Sequence, residues 1–443
     1  MRIQLSDHFT YRRLLRFTLS TILMLVCSSL YSIVDGFFVS NYVGKTSFAA
    51  VNLIMPVAMS VGTVGFMIGT GGSAIVSKTL GEGDRGRANQ YFSMLVYLAA
   101  GISILLGITG FLLMEPIARA LGAQGALLEE SVLYGRILFL AQPFFILQMV
   151  FQSFFVTAEK PVLSLKINIL AGLTNVVLDY LFIAVLPWGV AGAAIATAMG
   201  QMVGGVVPLF YFARKNDSLL HLTSTRFYGR VFLHTCFNGS SEMVSNLSAS
   251  VVNILYNFQL MRLAGEDGIA AYGVIMYVNF IFIAIFLGYS LGSAPVVSFH
   301  YGAKNRQELQ NLFRKSLCIL GCLGVLLTLL AELLCVPLVS LFASYDPQLF
   351  AMTCRGFRIY SLAFLVMGMN IWGSSFFTAL NNGGVSAAIS FLRTLVFQIA
   401  AGLVLPALWG IDGVWLAIVA AELLALGVTA VFLVGERKRY QYI

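Results

Sequence analysis

The stretch "GKTSFAAVNLIMPV", residues 44–57, returns 221 residues later as "GEDGIAAYGVIMYV", residues 265–278, with six identities in fourteen positions. The same offset, without a gap, lays "GGSAIVSKTLGEGDR" (71–85) on "GSAPVVSFHYGAKNR" (292–306), with five identities in fifteen. It also lays "EPIARAL" (115–121) on "VPLVSLF" (336–342), Pro116 on Pro337, and "PWGVAG" (187–192) on "LWGIDG" (408–413). A constant offset over segments so far apart marks two copies of one unit. The unit itself is read from what fills it.

The 443 residues are 59% hydrophobic and only 10% charged, and the mean hydropathy is +0.87. Soluble domains carry about 25% charged residues. Apolar runs of about 20 residues, the length that crosses a hydrocarbon core, recur along the whole chain. A transmembrane β-barrel would instead alternate in segments of about 10 residues. The expected fold is therefore an all-α polytopic membrane protein with twelve spans: 16–39, 50–78, 91–114, 132–157, 162–186, 190–213, 231–261, 269–299, 314–342, 355–380, 385–408 and 411–434. The first run follows "YRRLLR", is too long for a signal peptide and lacks an A-x-A site, so it reads as a retained helix.

The net charge of +8 does not point to nucleic acid, because the basic residues fall in alternate loops. Twenty lie on one side: Arg2, Arg12, Arg13, Arg16, then loops around Lys78–Arg87, Lys160–Lys166, Arg214–Arg230 and Lys304–Lys315, and the C-terminal Arg437, Lys438 and Arg439. Four lie on the other: Lys45, Arg119, Arg262 and Arg355. Positive loops stay inside, so both termini are expected in the cytoplasm and the chain in the cell membrane. Each repeat then holds six spans and enters the membrane in the same sense. This divides the chain into an N-lobe (1–213), a cytoplasmic connector (214–230) and a C-lobe (231–443), related by an axis along the membrane normal, with the substrate path between them.

The six cysteines form no C-x-x-C and no cluster with histidine, so they read as packing residues, without zinc or disulfides. His8, His221, His234 and His300 read as scattered near helix ends. "GEGDRGRA" (81–88) approaches a phosphate loop but has Arg87-Ala88 where Lys-Ser/Thr is required and no strand before it, which excludes a nucleotide site of that kind.

Ionisable residues inside spans are costly and point to function. Asp35 in span 1 and Asp179 in span 5 each lie roughly 25–27 Å from the cytoplasmic end at 1.5 Å per residue. Asn175 precedes Asp179 by four residues and shares its face, and Thr197 in span 6 reaches a similar depth. Two carboxylates, an amide and a hydroxyl suit Na⁺, and a buried carboxylate can carry a proton. Glu242 lies in the most polar span, "NGSSEMVSNLSASVVN" (238–253), whose Asn246 and Asn253 follow at helical spacing. That span is expected to line a wet substrate cavity, with small residues at a helix interface as the plainer reading. Glu332 and Glu422 are weaker candidates. Arg393 needs a partner, with Glu422 and Glu242 both available. Methionine and aromatic residues supply adaptable apolar walls.

Twelve spans in two repeats, "VDGFFVSNYVG" (34–44), "GTGGSAIVSKTLGEGD" (69–84), "NVVLDY" (175–180) and "GAAIATA" (192–198) together resemble the multidrug and toxic compound extrusion (MATE) family over essentially the whole chain. The Asp of span 1 and the Asn-x-x-x-Asp of span 5 resemble its DinF-like prokaryotic branch. The resemblance implies two lobes around a V-shaped cavity and export of organic, mostly cationic amphipathic compounds in exchange for H⁺ or Na⁺. It also implies a cation site at Asp35, Asn175, Asp179 and Thr197, no cofactor, no enzymatic activity, and a protein expected to act as a monomer. Other branches of the family use an acid in span 7 and another in span 10; here span 7 has Glu242 and span 10 has none. A lipid-linked oligosaccharide flippase of the same superfamily would want a cationic cavity, and a cation channel a filter sequence; these are the alternative readings.

Overall fold

The computed structural model describes residues 3–343 and 346–442. Arg2, counted above among the N-terminal cations, lies outside them. All regular structure among the described residues is helical. In the N-terminal half α1 is Tyr11–Tyr42, α2 Lys45–Gly81, α3 Arg85–Ala120, α4 Gly125–Thr157, α5 Pro161–Asp179 and α6 Gly189–Ala213. Next comes one continuous run, Gly229–Gly302, broken at Gly265, whose φ of 62° and ψ of −145° are not helical. The break divides the run into α7 (229–264) and α8 (266–302). Then follow α9 (Arg306–Ala343), α10 (Pro347–Ser361 and Phe364–Ala379, bent by 48°), α11 (Gly383–Trp409, with a π-helical turn at Leu392–Val396) and α12 (Ile411–Gly435). A short α13, Arg437–Tyr440, closes the chain.

Ten of these helical runs are long and apolar enough to cross a bilayer, and the bent pair is an eleventh. Dividing the longest at Gly265 gives twelve crossings, as the sequence predicts. The connector is shorter than expected, because α7 already begins at Gly229. Polar side chains mark the starts: the Asp84 carboxylate accepts from the Arg87 amide at 2.9 Å, and that of Asp346 from Gln348 at 2.8 Å. These bonds satisfy amide donors that a first helical turn leaves free. Large apolar side chains such as Leu105, Leu112, Leu140, Leu333 and Val431 stand exposed around the outside. That is a surface built for lipid rather than water.

The sequence repeat is also a spatial one. Gly81 on α2 lies so close to the Phe299 carbonyl on α8 that a Cβ has no room, and Gly302 lies against the Lys78 carbonyl in the same way. The offset of 221 carries Gly81 onto Gly302 and Lys78 onto Phe299. Higher up, Gly71 abuts Thr235 and Gly239 on α7, and its counterpart Gly292 abuts Thr18 on α1. The halves are thus joined by an internal twofold, along the end of the bundle that carries the termini. Away from that end, at Gly36 and Gly273, nothing stands within 4 Å of where a Cβ would be.

A chain segment ahead of α1 crosses the joined end. The Leu5 amide donates to Glu159 Oε1 at 2.7 Å in the N-lobe, and the Phe9 amide to Glu308 Oε1 at 2.9 Å in the C-lobe. Leu5 and Phe9 are fully buried. The connector does the converse: ahead of α7 it lies on α3, with the His221 amide on Asn89 and the Thr223 amide on Ser93, each at 2.8 Å. Two of the histidines take part in this crossing. His8 Nδ1 pairs with Glu308 at 2.6 Å, and His300 is buried edge-on to the Phe9 ring. The long sequence separation of residues 8 and 308 hides that pairing.

Candidate cation and substrate sites

Helix α5 places Asn168, Gly172, Asn175 and Asp179 on one face, at spacings of four, three and four. Gly172 leaves room for the Tyr31 ring of α1, and Gly200 on α6 lets that helix approach Asn175. Thr197, one turn earlier on α6, is thereby brought beside α5. Directly after Asp179 the helix widens into a π-helical turn, Tyr180–Val185, a distortion common at functional sites.

The side chains of Asp35, Asn175 and Asp179 lie within interaction range of one another. Asp35 is 8% exposed and Asp179 not at all. Asp35 Oδ1, both Asp179 carboxylate oxygens, Asn175 Nδ2 and Thr197 Oγ1 are buried without a hydrogen-bond partner. Unpaired buried carboxylate oxygens are expensive, and a proton or a small cation held between them removes the cost. The cluster borders a cavity of about 410 Å³ walled by Met55, Met59, Phe66, Phe145 and Met149. Asp35, Asn175 and Thr197 line that cavity, and Asp179 sits behind them. Among the described residues, no three His, Cys, Asp or Glu side chains converge as a metal cluster, so a site here relies on amide and hydroxyl oxygens as well as carboxylates.

Sequence reasoning missed four members of this region. Gln148, Asn168 and Gln201 line the same cavity, and Tyr134, 1% exposed, is within electrostatic reach of both carboxylates. Asn168 donates to the Met24 carbonyl at 3.0 Å and to Ser28 Oγ at 2.9 Å, joining α5 to α1 below the carboxylates. Its place seven residues before Asn175 was the available signal.

The C-lobe holds a second cavity, of about 310 Å³, lined by Glu242, Asn246 and Asn253 together with Arg393 and Glu422. All three residues expected there are present. Arg393 Nε donates to both Glu422 oxygens, at 2.9 and 3.0 Å. Of its two candidate partners, the structure selects Glu422. Glu332 and Arg358, 3.9 Å apart, line neither cavity. Arg136 packs over the Phe111 ring.

The MatE family model matches the chain twice, over residues 20–181 and 243–404, which together make up most of its length. The chain belongs to the MatE family. Among curated relatives, it is 23% identical to the multidrug export protein MepA of Staphylococcus haemolyticus, over 93% of this chain and 90% of that one. It is 22% identical to MepA of Staphylococcus aureus strain MRSA252, over 96% and 94%. Among solved structures, an outward-facing multidrug resistance MATE transporter of the MOP superfamily superposes with a TM-score of 0.92 at 21% identity, over 98% of both chains. A MOP superfamily transporter from Pyrococcus furiosus, described as having a binding pocket of reversed polarity, gives 0.89 at 22%, over 98% and 97%. One of the two matches of the MatE model falls in each of the halves read from the internal offset.

Within this MatE protein the two cavities are separate, each lined by its own lobe. Both lie beyond the glycine contacts as seen from the termini. Along α1 the contacts use residues 18–22 and the cavity residues 28–36; along α2 the contacts use 67–81 and the cavity 51–66. The glycine contacts thus lie between the two cavities and the terminal end.

Proposed function

We propose that this protein is a secondary active exporter of organic, mostly cationic amphipathic compounds, driven by exchange for H⁺ or Na⁺ through alternating access. The observation that carries the reading is the buried set Asp35, Asn175, Asp179 and Thr197, with its unpartnered oxygens beside an apolar cavity. A coupling cation must bind and leave during each cycle, and a carboxylate pair without fixed partners can be filled and emptied. Glu242, Asn246 and Asn253 are the polar contacts for substrate in the other lobe, set among adaptable walls that include Met276 and Phe280. The names of the staphylococcal relatives, multidrug export proteins, favour the same substrate class.

The twenty basic residues on the terminal side put both termini in the cytoplasm, in the cell membrane. The glycine contacts then close the cytoplasmic end, and the cavities face outward. Binding of cation and of drug are linked by the transition between this state and its inward-facing counterpart, and such linkage is reciprocal. Both cavities are formed within one chain, so a monomer suffices. A lipid-linked oligosaccharide flippase is disfavoured because Arg393, the one cation among the described residues lining the C-lobe cavity, is already paired with Glu422. A channel is disfavoured by the packed backbone across the cytoplasmic end.

The test is transport of a permanently charged fluorescent dye by purified protein in proteoliposomes, with Na⁺ and pH gradients imposed separately. Uptake against a dye gradient, driven by one of the two, is expected. Dye movement that neither gradient drives would refute exchange.

A further inference from the structure

Among the described residues, three charged side chains line the C-lobe cavity, and their pairing is unequal. Arg393 is 14% exposed and gives its Nε to both oxygens of Glu422, which is 1% exposed. Glu422 is itself fixed from α10: Asn370 Nδ2 donates to its Oε2 at 2.7 Å and to its backbone carbonyl at 2.8 Å. Glu242 lines the same cavity, within electrostatic reach of Arg393. Yet its carboxylate joins no ion pair among the described residues. One acid is therefore neutralised and held, and the other is left to face the cavity.

A guanidinium does not give up its proton in a protein, so Arg393 carries a permanent internal cation. Whichever carboxylate it pairs with is closed to an external one. With Glu422 as partner, Arg393 leaves the Glu242 carboxylate free to pair with a cation from outside. Without Glu422, the same arginine has one carboxylate left in the cavity, Glu242.

We propose that Glu422 sets the substrate preference of the C-lobe cavity by holding Arg393 away from Glu242, keeping that carboxylate open to an organic cation. Asn370 is the positioning residue that keeps Glu422 in place. This inference rests on the reading of Glu242 as the carboxylate that meets substrate.

The test measures equilibrium binding of a permanently charged fluorescent dye and of an uncharged dye of similar size by the full-length protein in lipid nanodiscs. Glu422→Gln is expected to weaken the cationic dye by about tenfold, as expected for competition at one carboxylate, with the uncharged dye unchanged. In Arg393→Gln/Glu422→Gln the internal cation is gone, and binding of the cationic dye should return to within about threefold of wild type. Unchanged affinity in Glu422→Gln overturns the proposal. So does a double variant as weak as the single one, since loss of packing would not be repaired by removing the arginine as well. Should Glu422→Gln fail to fold, Glu422→Asp keeps the charge but shortens the reach to Arg393. It should weaken the cationic dye alone, and wild-type affinity there is equally fatal. Glu242→Gln separates this inference from the reading beneath it. If that variant binds the cationic dye normally, Glu242 is not the substrate carboxylate. If it binds weakly while Glu422→Gln does not, only the role of Glu422 falls.

Discussion

The offset that superposes the lobes carries Asp35 onto Tyr256. Both are buried and both line the cavity of their own lobe. Where the N-lobe has a carboxylate with an unpartnered oxygen, the C-lobe has a phenol hydrogen-bonded to Gln398 at 2.5 Å. The framework is symmetric and the chemistry is not, and the cation coupling proposed above falls to one lobe.

Asp35→Asn and Asp179→Asn keep volume and remove charge. Each is expected to lower gradient-driven export by about a hundredfold or more, as for groups essential to the cycle. The protein should still fold and insert. The double variant should be little worse than either single one, because groups acting as a unit are non-additive. Near-normal dye export by both single variants would make these aspartates structural.

Glu242→Gln should weaken transport of cationic substrates more than of neutral ones, since removing a charge removes attraction only to charge. Initial rates with a matched pair of dyes check this. Equal losses for both would place Glu242 in the framework.

Orientation is checked by cysteines introduced one at a time into a variant lacking the native six. Those in the connector, 214–228, should react with an impermeant reagent only from the cytoplasm, and those at 263–268 only from outside. The reverse pattern would invert the depth argument and the direction of transport.

Much of this architecture is legible in the sequence, because lipid imposes length, apolarity and loop charge on every span. The offset of 221, found from four short alignments, recurs in the backbone contacts of Gly81 and Gly302. Asp35 and Asp179 could be placed together from rise per residue alone. The partner of Arg393 could not, since two glutamates were within plausible reach and only packing chooses between them. The pairing of His8 with Glu308, and the crossing of the N-terminal segment to the opposite lobe, left no periodic signal. Residues 3–10 are too short to carry one, and their contacts lie from about 150 to 300 positions away.

Those contacts can be measured. Glu308→Ala removes the acceptor of the Phe9 amide, the partner of His8 and an oxygen that accepts from Asn311 at 2.7 Å. An orphaned buried donor costs about 1–3 kcal/mol. The melting temperature in detergent should fall, and protease access to the N-terminal segment should rise. An unchanged melting temperature would mean that the crossing segment adds nothing to stability.

At the glycine contacts, Gly81→Val or Gly302→Val forces α2 and α8 apart, with overpacking worth about 1–3 kcal/mol. A reporter cysteine at Ser32, on the cavity wall, should then react faster from the cytoplasmic side. The two substitutions should act alike, because each glycine faces the counterpart of the other's neighbour. A large difference between them would show that the seal is one-sided.

A seal that maps onto itself under a twofold is the contact that two identical chains make when they pair. A unit of six helices with this glycine at the end of its second helix, inserted twice in the same sense, would already possess that interface: a homodimer with its own gate. Fusion into a single polypeptide freed the halves to diverge. One now carries the acid pair of the proposed cation site, while the other carries the phenol of Tyr256 at the position that matches Asp35.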